Sequence, residues 1–189
     1  MKRQVLIVLA IVTSIVMSAS AGTLRGKVSS PGQNSVVYVG AIAGKTFPAS
    51  TVPFQVDQQA SKFEPHVLVV PQGSSVVFKN HDNMSHNVRW PNISSDNRMA
   101  HNLGTWGQND TRTFQFDHPG VVPLQCSIHP DMAGYIIVVP TPYYAQVTTS
   151  GDYTIRNIPD GKYTVNVWRE GKKIETKQVT VAGDSSQDF

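Results

Sequence analysis

The 189-residue sequence has a single cysteine, Cys126. One thiol cannot close an internal disulfide, so no disulfide framework holds this chain together. After residue 17 no apolar run is long enough to cross a bilayer as a helix. No basic patch interleaved with aromatic residues occurs, so nucleic acid is not an expected partner. No Ser/His/Asp order, phosphate-binding loop or zinc-hydrolase motif can be identified, which argues against catalysis. Beyond the N-terminal segment no window sustains a helical period over three turns with caps at its ends.

The N-terminus reads as an address. Met1-Lys2-Arg3 is basic, Val5 to Met17 is a mostly apolar stretch of 13 residues, and Ser18-Ala19-Ser20-Ala21 ends in Ala-x-Ala. These are the three parts of a secretory signal peptide, residues 1–21, with cleavage expected after Ala21. Loss of Lys2 and Arg3 would lower the formal charge from +3 to +1, leaving 14 basic against 13 acidic residues. The expectation is an exported protein, periplasmic or extracellular, with no transmembrane segment after cleavage. Cysteines in such oxidising compartments normally come in pairs. A lone Cys126 is explained better by metal ligation than by a free thiol.

The rest reads all-β: short runs of Val, Ile, Thr, Tyr and Phe are punctuated by Gly, Pro, Asn and Asp. Thr23–Ser29 and Val36–Ile42 are predicted strands, and residues 44–56, with Pro48 and Pro53, a connecting loop. Phe63–Val70, with Pro65 and Pro71 as breaks, and Ser75–Asn80 follow as strands, then a polar, Asn-rich stretch over 91–110 with no clear strand. Thr111–Phe116 alternates, and Tyr135–Val139 is a continuous apolar run. After Pro140-Thr141-Pro142, the segments Tyr153–Ile158 and Tyr163–Trp168 flank a Pro159-Asp160-Gly161 turn, and a last strand covers Ile174–Val181.

The chemistry concentrates in Cys126-Ser127-Ile128-His129-Pro130-Asp131-Met132, with His86 forty residues upstream. A thiolate, two imidazoles and a thioether suit copper in an electron-transfer site. Soft sulfur donors favour Cu(I), imidazoles serve both oxidation states, and a weak axial Met leaves a geometry intermediate between the two. Zinc would accept the thiolate and imidazoles but has no use for a Met. Cys126, His129 and Met132 fall at intervals of three on one loop between two apolar runs, and His86 must come from another strand.

This Cys-x-x-His-Pro-x-Met loop, together with His86-Asn87-Val88, resembles the cupredoxins, the amicyanin type most closely. Plastocyanin and pseudoazurin loops place more residues between the second His and the Met. The resemblance implies a Greek-key β-sandwich holding one type 1 copper per chain, with His86, Cys126, His129 and Met132 as ligands. It also implies that Asn87 helps hold the Cys126 sulfur and that electrons leave through the edge of His129, where redox protein partners dock. Asp131 departs from the apolar residue that amicyanin has beside this exit. Multicopper oxidases need His-x-His pairs and dinuclear copper centres need a second loop cysteine, and this sequence has neither.

The pattern Gly-x-Tyr-x-Ile-x-Asn-Ile-Pro-x-Gly-x-Tyr-x-Val-x-Val, beginning at Gly151, resembles carboxypeptidase-regulatory-like (transthyretin-like) β-sandwiches. About fifty residues would bury little surface alone. The two N-terminal strands would complete such a domain. The expected layout is a cupredoxin over residues 51–140 inserted into a split sandwich of residues 22–50 and 141–189. The alternative is a longer cupredoxin that uses the N-terminal strands itself. His101 is a candidate for a second copper contact, His81 a weaker one, and His66 and His118 read as structural. Met84, Trp90 and Trp106 are candidates for an apolar collar. Two other functions stay open, a copper chaperone or storage protein and a structural secreted module.

Overall fold

The computed structural model describes residues 21–32, 34–91 and 100–189, so the leader expected at residues 1–21 lies outside it except for Ala21. The described residues form sixteen strands and no helix, arranged in four sheets. The chain is all-β.

Two sheets carry the Cys126 loop at one end. One has β4 (Lys62–Glu64), β3 (Phe54–Gln59), β6 (Ser74–Asn80) and β9 (Thr111–Phe116), in that spatial order. The other has β5 (Val67–Pro71), β11 (Ala133–Val139), β10 (Gly120–Gln125), β7 (His86–Trp90) and β8 (His101–Trp106). Strand alternation sends Val76, Phe78 and Asn80 of β6 inward. There Val56, Phe63, Val76 and Phe78 meet Val88, Val122, Leu124, Ile136 and Val138 in one core.

The other two sheets are β13 (Asp152–Pro159), β1 (Ala21–Lys27) and β16 (Asp184–Ser186), and β12 (Tyr144–Gln146), β2 (Val36–Val39), β14 (Gly161–Trp168) and β15 (Glu175–Val181). Strand β1 pairs antiparallel with β13 and parallel with β16, and β2 lies between β12 and β14. Leu24, Val37, Val39, Ile155, Val165 and Val167 form a second core.

A third cluster joins these two bodies: Val36 and Trp168 pack with Val67, Val69, Ile137 and Val139. Strand β11 therefore buries Ile136 and Val138 on one face and Ile137 and Val139 on the other. A strand covered on both faces has no polar alternation, which accounts for its unbroken apolar run.

Several strand expectations are corrected. The expected loop over 44–56 runs into β3, which begins at Phe54. The single strand expected over Phe63–Val70 is two, β4 and β5, separated by Pro65-His66, where proline cannot donate to a ladder. The polar stretch over 91–110 contains β8, an edge strand in which only Trp106 is fully buried. A final short strand, β16, lies beyond Val181.

Candidate metal centre

The site is built where β6 hands over to β7. Asn80, the last residue of β6, is fully buried, and its amide nitrogen donates to the carbonyls of Met84 (2.8 Å) and Trp106 (3.1 Å). Its side-chain oxygen accepts the Asp82 N–H at 2.9 Å, an Asx turn. The chain thus reverses tightly over 81–85 and delivers His86 to the start of β7. Asp82 turns its carboxylate back on the same region. One oxygen accepts the Ala60 N–H (2.7 Å), and the other faces the Ser61 N–H (2.9 Å) and His86 Nε2 (2.7 Å). Burial alone would push the Asp82 carboxyl up, but hydrogen bonds from the Ser61 backbone, the His86 ring and the Ala60 backbone together hold it below the ordinary carboxylate value. With Nε2 held, His86 presents Nδ1 to the loop across from it.

That loop closes between β10 and β11, whose ends pair as Gln125 and Ala133. The Cys126 N–H donates to the Met132 carbonyl (3.3 Å) and the Met132 N–H to the His129 carbonyl (3.0 Å), so the seven residues form a tight bight. Cys126 and Met132 are buried among the core residues, while His129 is half-buried. The donor atoms of His86, Cys126 and His129 all lie within 4.8 Å of one another. His86 Nδ1 is 3.0 Å from His129 Nδ1, which is 3.9 Å from Cys126 Sγ. Metal–ligand bonds of about 2.0–2.3 Å span such separations with one ion between the donors. The residues therefore fit a first-row ion.

Asn87 secures the sulfur. Its backbone N–H donates to Cys126 Sγ at 3.3 Å, inside the core. Its side-chain oxygen accepts the Ser127 hydroxyl (2.9 Å) and the Ser127 N–H (3.3 Å). Its amide nitrogen donates to Asn102 Oδ1 and the Gly104 carbonyl, both at 2.8 Å. One asparagine thus ties the ligand loop to β8, the kind of outer contact that orients a metal ligand.

The other histidines lie elsewhere. His101 stacks on Trp90 at 5.5 Å and meets Phe114 edge-on, outside the donor cluster. His81 is paired with Asp57. His118 is exposed beside β10. His66 bridges the Ala133 carbonyl and Glu170. The collar expectation is corrected in part: Trp90 and Trp106 are core residues, whereas Met84 is 45% exposed. The sequence reading missed Asp82. The polar run Asn80-His81-Asp82 directly after an apolar strand was the signal that a structured turn leads into His86.

A buried thiol, two converging imidazoles and a buried methionine three residues beyond the second of them, at one end of a β-sandwich, define a type 1 copper site. Residues 50–139 match the family of copper binding proteins of the plastocyanin/azurin type, so the chain carries a cupredoxin domain. Residues 141–188 match a family described as polysaccharide lyase family 4, domain II, and belong to the second, small β domain.

No curated protein matches the chain. Among solved structures it is similar to a reduced amicyanin variant, at 24% identity over 54% of this chain and 97% of that one, with a TM-score of 0.42. It is similar to a copper-containing nitrite reductase of Thermus scotoductus SA-01, at 26% identity over 55% of this chain and 25% of that one, with a TM-score of 0.44. A purple cupredoxin of Nitrosopumilus maritimus matches at 24% identity over 45% of this chain and 98% of that one, with a TM-score of 0.40.

Proposed function

We propose that the protein is an exported one-electron carrier and not an enzyme. His86, Cys126, His129 and Met132 would hold copper. The observation that carries this reading is the convergence of His86 Nδ1, His129 Nδ1 and Cys126 Sγ at 3.0 and 3.9 Å around one point. Copper, when bound, supplies a one-electron couple.

The chain's part is to keep the donors still. Asp82 fixes the His86 ring, the Asn87 N–H holds the Cys126 sulfur, and the loop's own backbone bonds fix the distance from Cys126 to Met132. Donors that barely move between oxidation states suit fast electron exchange. His129 is the half-buried member of the cluster, and Ile128, next to it, is 46% exposed. Its ring edge is the proposed port, and a redox protein partner would dock there, with Asp131 adding a charge at the rim.

The domain layout proposed is a cupredoxin over residues 51–140 within a split sandwich of residues 22–50 and 141–189. The pairing of β1 with β13 and of β2 with β14 supports it. The signal-like leader, residues 1–21, supports export. Full burial of His86 and near-full burial of Cys126 favour a carrier over a chaperone that surrenders its ion.

The visible spectrum of the mature protein with one equivalent of Cu(II) is the test. An intense charge-transfer band is expected, lost on reduction, restored on oxidation and absent in Cys126→Ser. A colourless protein, or a band indifferent to Cys126→Ser, would overturn the reading. Ready transfer of Cu(I) to a competing chelator would favour the chaperone instead.

A further inference from the structure

The two bodies of the molecule meet beside the end of the copper loop, and one side chain spans the meeting point. His66, between β4 and β5, sets its Nδ1 3.1 Å from the carbonyl of Ala133, the residue directly after Met132. Its Nε2 lies 3.0 Å from Glu170 Oε2, which belongs to the turn between β14 and β15 of the small β domain. The ring stands edge-on to Tyr135 at 5.7 Å, and Tyr135 in turn packs on Trp168 at 5.1 Å. Burial first, and then Glu170 through its charge and its hydrogen bond, raise the Tyr135 phenol above its ordinary value. The backbone repeats the connection, since the Tyr135 N–H donates to the His66 carbonyl at 2.8 Å. Gly134 lets the segments approach this closely: a Cβ there would lie 3.0 Å from Phe63 Cβ and 3.1 Å from the His66 carbonyl oxygen.

A carbonyl only accepts, so Nδ1 must donate to Ala133, and this fixes the ring's orientation. In the imidazolium form both ring nitrogens donate, and Glu170 then accepts from Nε2–H and holds the opposite edge of the ring from the other domain. The imidazole is a short strut whose two ends are a residue of the small β domain and the first backbone carbonyl of β11, directly after the ligand loop. Ala133 pairs with Gln125 and follows Met132, which receives the Cys126 N–H. A shift of Ala133 is therefore a shift of the loop's closing bond.

We propose that His66 is a positioning residue for the copper loop and that the small β domain, through Glu170, sets where that loop ends. The second domain is then part of the outer support of the metal centre and not a tethered accessory. This needs the 126–132 loop but not electron transfer, so it is testable on metal-free protein.

The experiment is residue-resolved amide hydrogen exchange of the full mature chain without metal, followed at Cys126 and Met132, whose N–H groups close the loop. In Glu170→Ala and in His66→Ala these two amides should exchange about two- to fivefold faster, the range of a half-exposed ion pair. The amides of β6, in the opposite sheet, should keep their rates. Glu170→Gln retains an acceptor for Nε2 and should restore most of the protection. The double variant should exchange no faster than His66→Ala alone, because both act through one path. Asp184→Ala, which breaks an ion pair with Arg25 elsewhere in the small domain, should change nothing at Cys126 or Met132. Wild-type rates at both amides in Glu170→Ala and His66→Ala would overturn the proposal. So would a uniform acceleration that includes β6, or additive effects in the double variant.

Discussion

Asp82 accepts hydrogen bonds from the backbone N–H groups of Ala60 and Ser61 and faces His86 Nε2. Ala60 and Ser61, which turn β3 into β4, both have positive φ, at 52° and 54°, without being glycine. Such residues persist only where the surroundings hold them, and here the Asp82 carboxylate takes both of their N–H groups. The same carboxylate fixes the His86 ring. Asp82→Ala should therefore cost stability and metal binding together. About 1 kcal/mol should be lost with these hydrogen bonds, since water can reach the Ala60 N–H, seen as a lower denaturant midpoint in the metal-free protein. Copper affinity should fall about 10- to 100-fold in a competitive titration. Unchanged affinity alongside lost stability would confine Asp82 to the turn. The contrast with Cys126 explains what the sequence disclosed at this scale. Spacings of three along one loop are covalent facts that survive in the text of the chain. The link from Asp82 to Ala60 and Ser61 crosses more than twenty residues and leaves no pattern.

Individual strands were legible where they alternate or run continuously apolar, as in β6 and β11, and obscure where their surroundings make them. Strand β8 buries only Trp106 fully, because it lies at a sheet edge, so its sequence stays polar. Strand β3 follows two prolines and carries three glutamines, yet it pairs in parallel with β6 from Phe54 to Gln58, a long-range match that local composition does not announce. Strand β1 shows a constraint that is visible only in three dimensions. It lies between β13 and β16, and residues 187–189 continue along it, the Gln187 and Phe189 N–H groups donating to the Arg25 and Lys27 carbonyls, so closely that a Cβ on Gly26 would collide with the Gln187 carbonyl. Gly26→Ala must push that backbone away or bend β1, at a cost of about 1–3 kcal/mol as in other overpacked sites. The loss should appear as a lower melting midpoint of the small β domain. The copper charge-transfer band at room temperature should keep its position, because β1 contributes to the second core and not to the one around Cys126. A shifted band in Gly26→Ala would mean that strain in β1 reaches the ligand loop.

At the scale of the whole molecule, the seam between the two bodies and the interior of the small domain are both furnished with phenols. Tyr38, Tyr135 and Tyr144 pack against the seam of Val36, Val67, Val69, Ile137, Val139 and Trp168. Burial raises the phenols of Tyr38 and Tyr144 above their ordinary value, and does the same at Tyr135 with help from Glu170. Inside the small domain Tyr153 is 3% exposed, and its hydroxyl donates to the Gln187 carbonyl at 2.6 Å. Burial, followed by the charge of Asp188, moves its phenol furthest upward. A phenol whose folded pKa exceeds its unfolded value of about 10 stays protonated in the fold while the unfolded chain releases its proton. Its contribution is then complete below pH 10 and is lost as the pH climbs from there through the raised folded value. Unfolding free energy measured by denaturant should accordingly show no tyrosine-dependent slope between pH 8 and about 9.5, then fall steeply. Tyr153→Phe separates this from lysine titration, which both proteins share. At pH 8 the variant should be less stable by about 1 kcal/mol, for the lost hydrogen bond. Above pH 10 its curve should fall less steeply, so that the gap to wild type narrows and then reverses. A gap that stays constant through pH 11 would mean that Tyr153 ionises in the folded protein as easily as in the unfolded chain, and that the alkaline limb belongs to other groups.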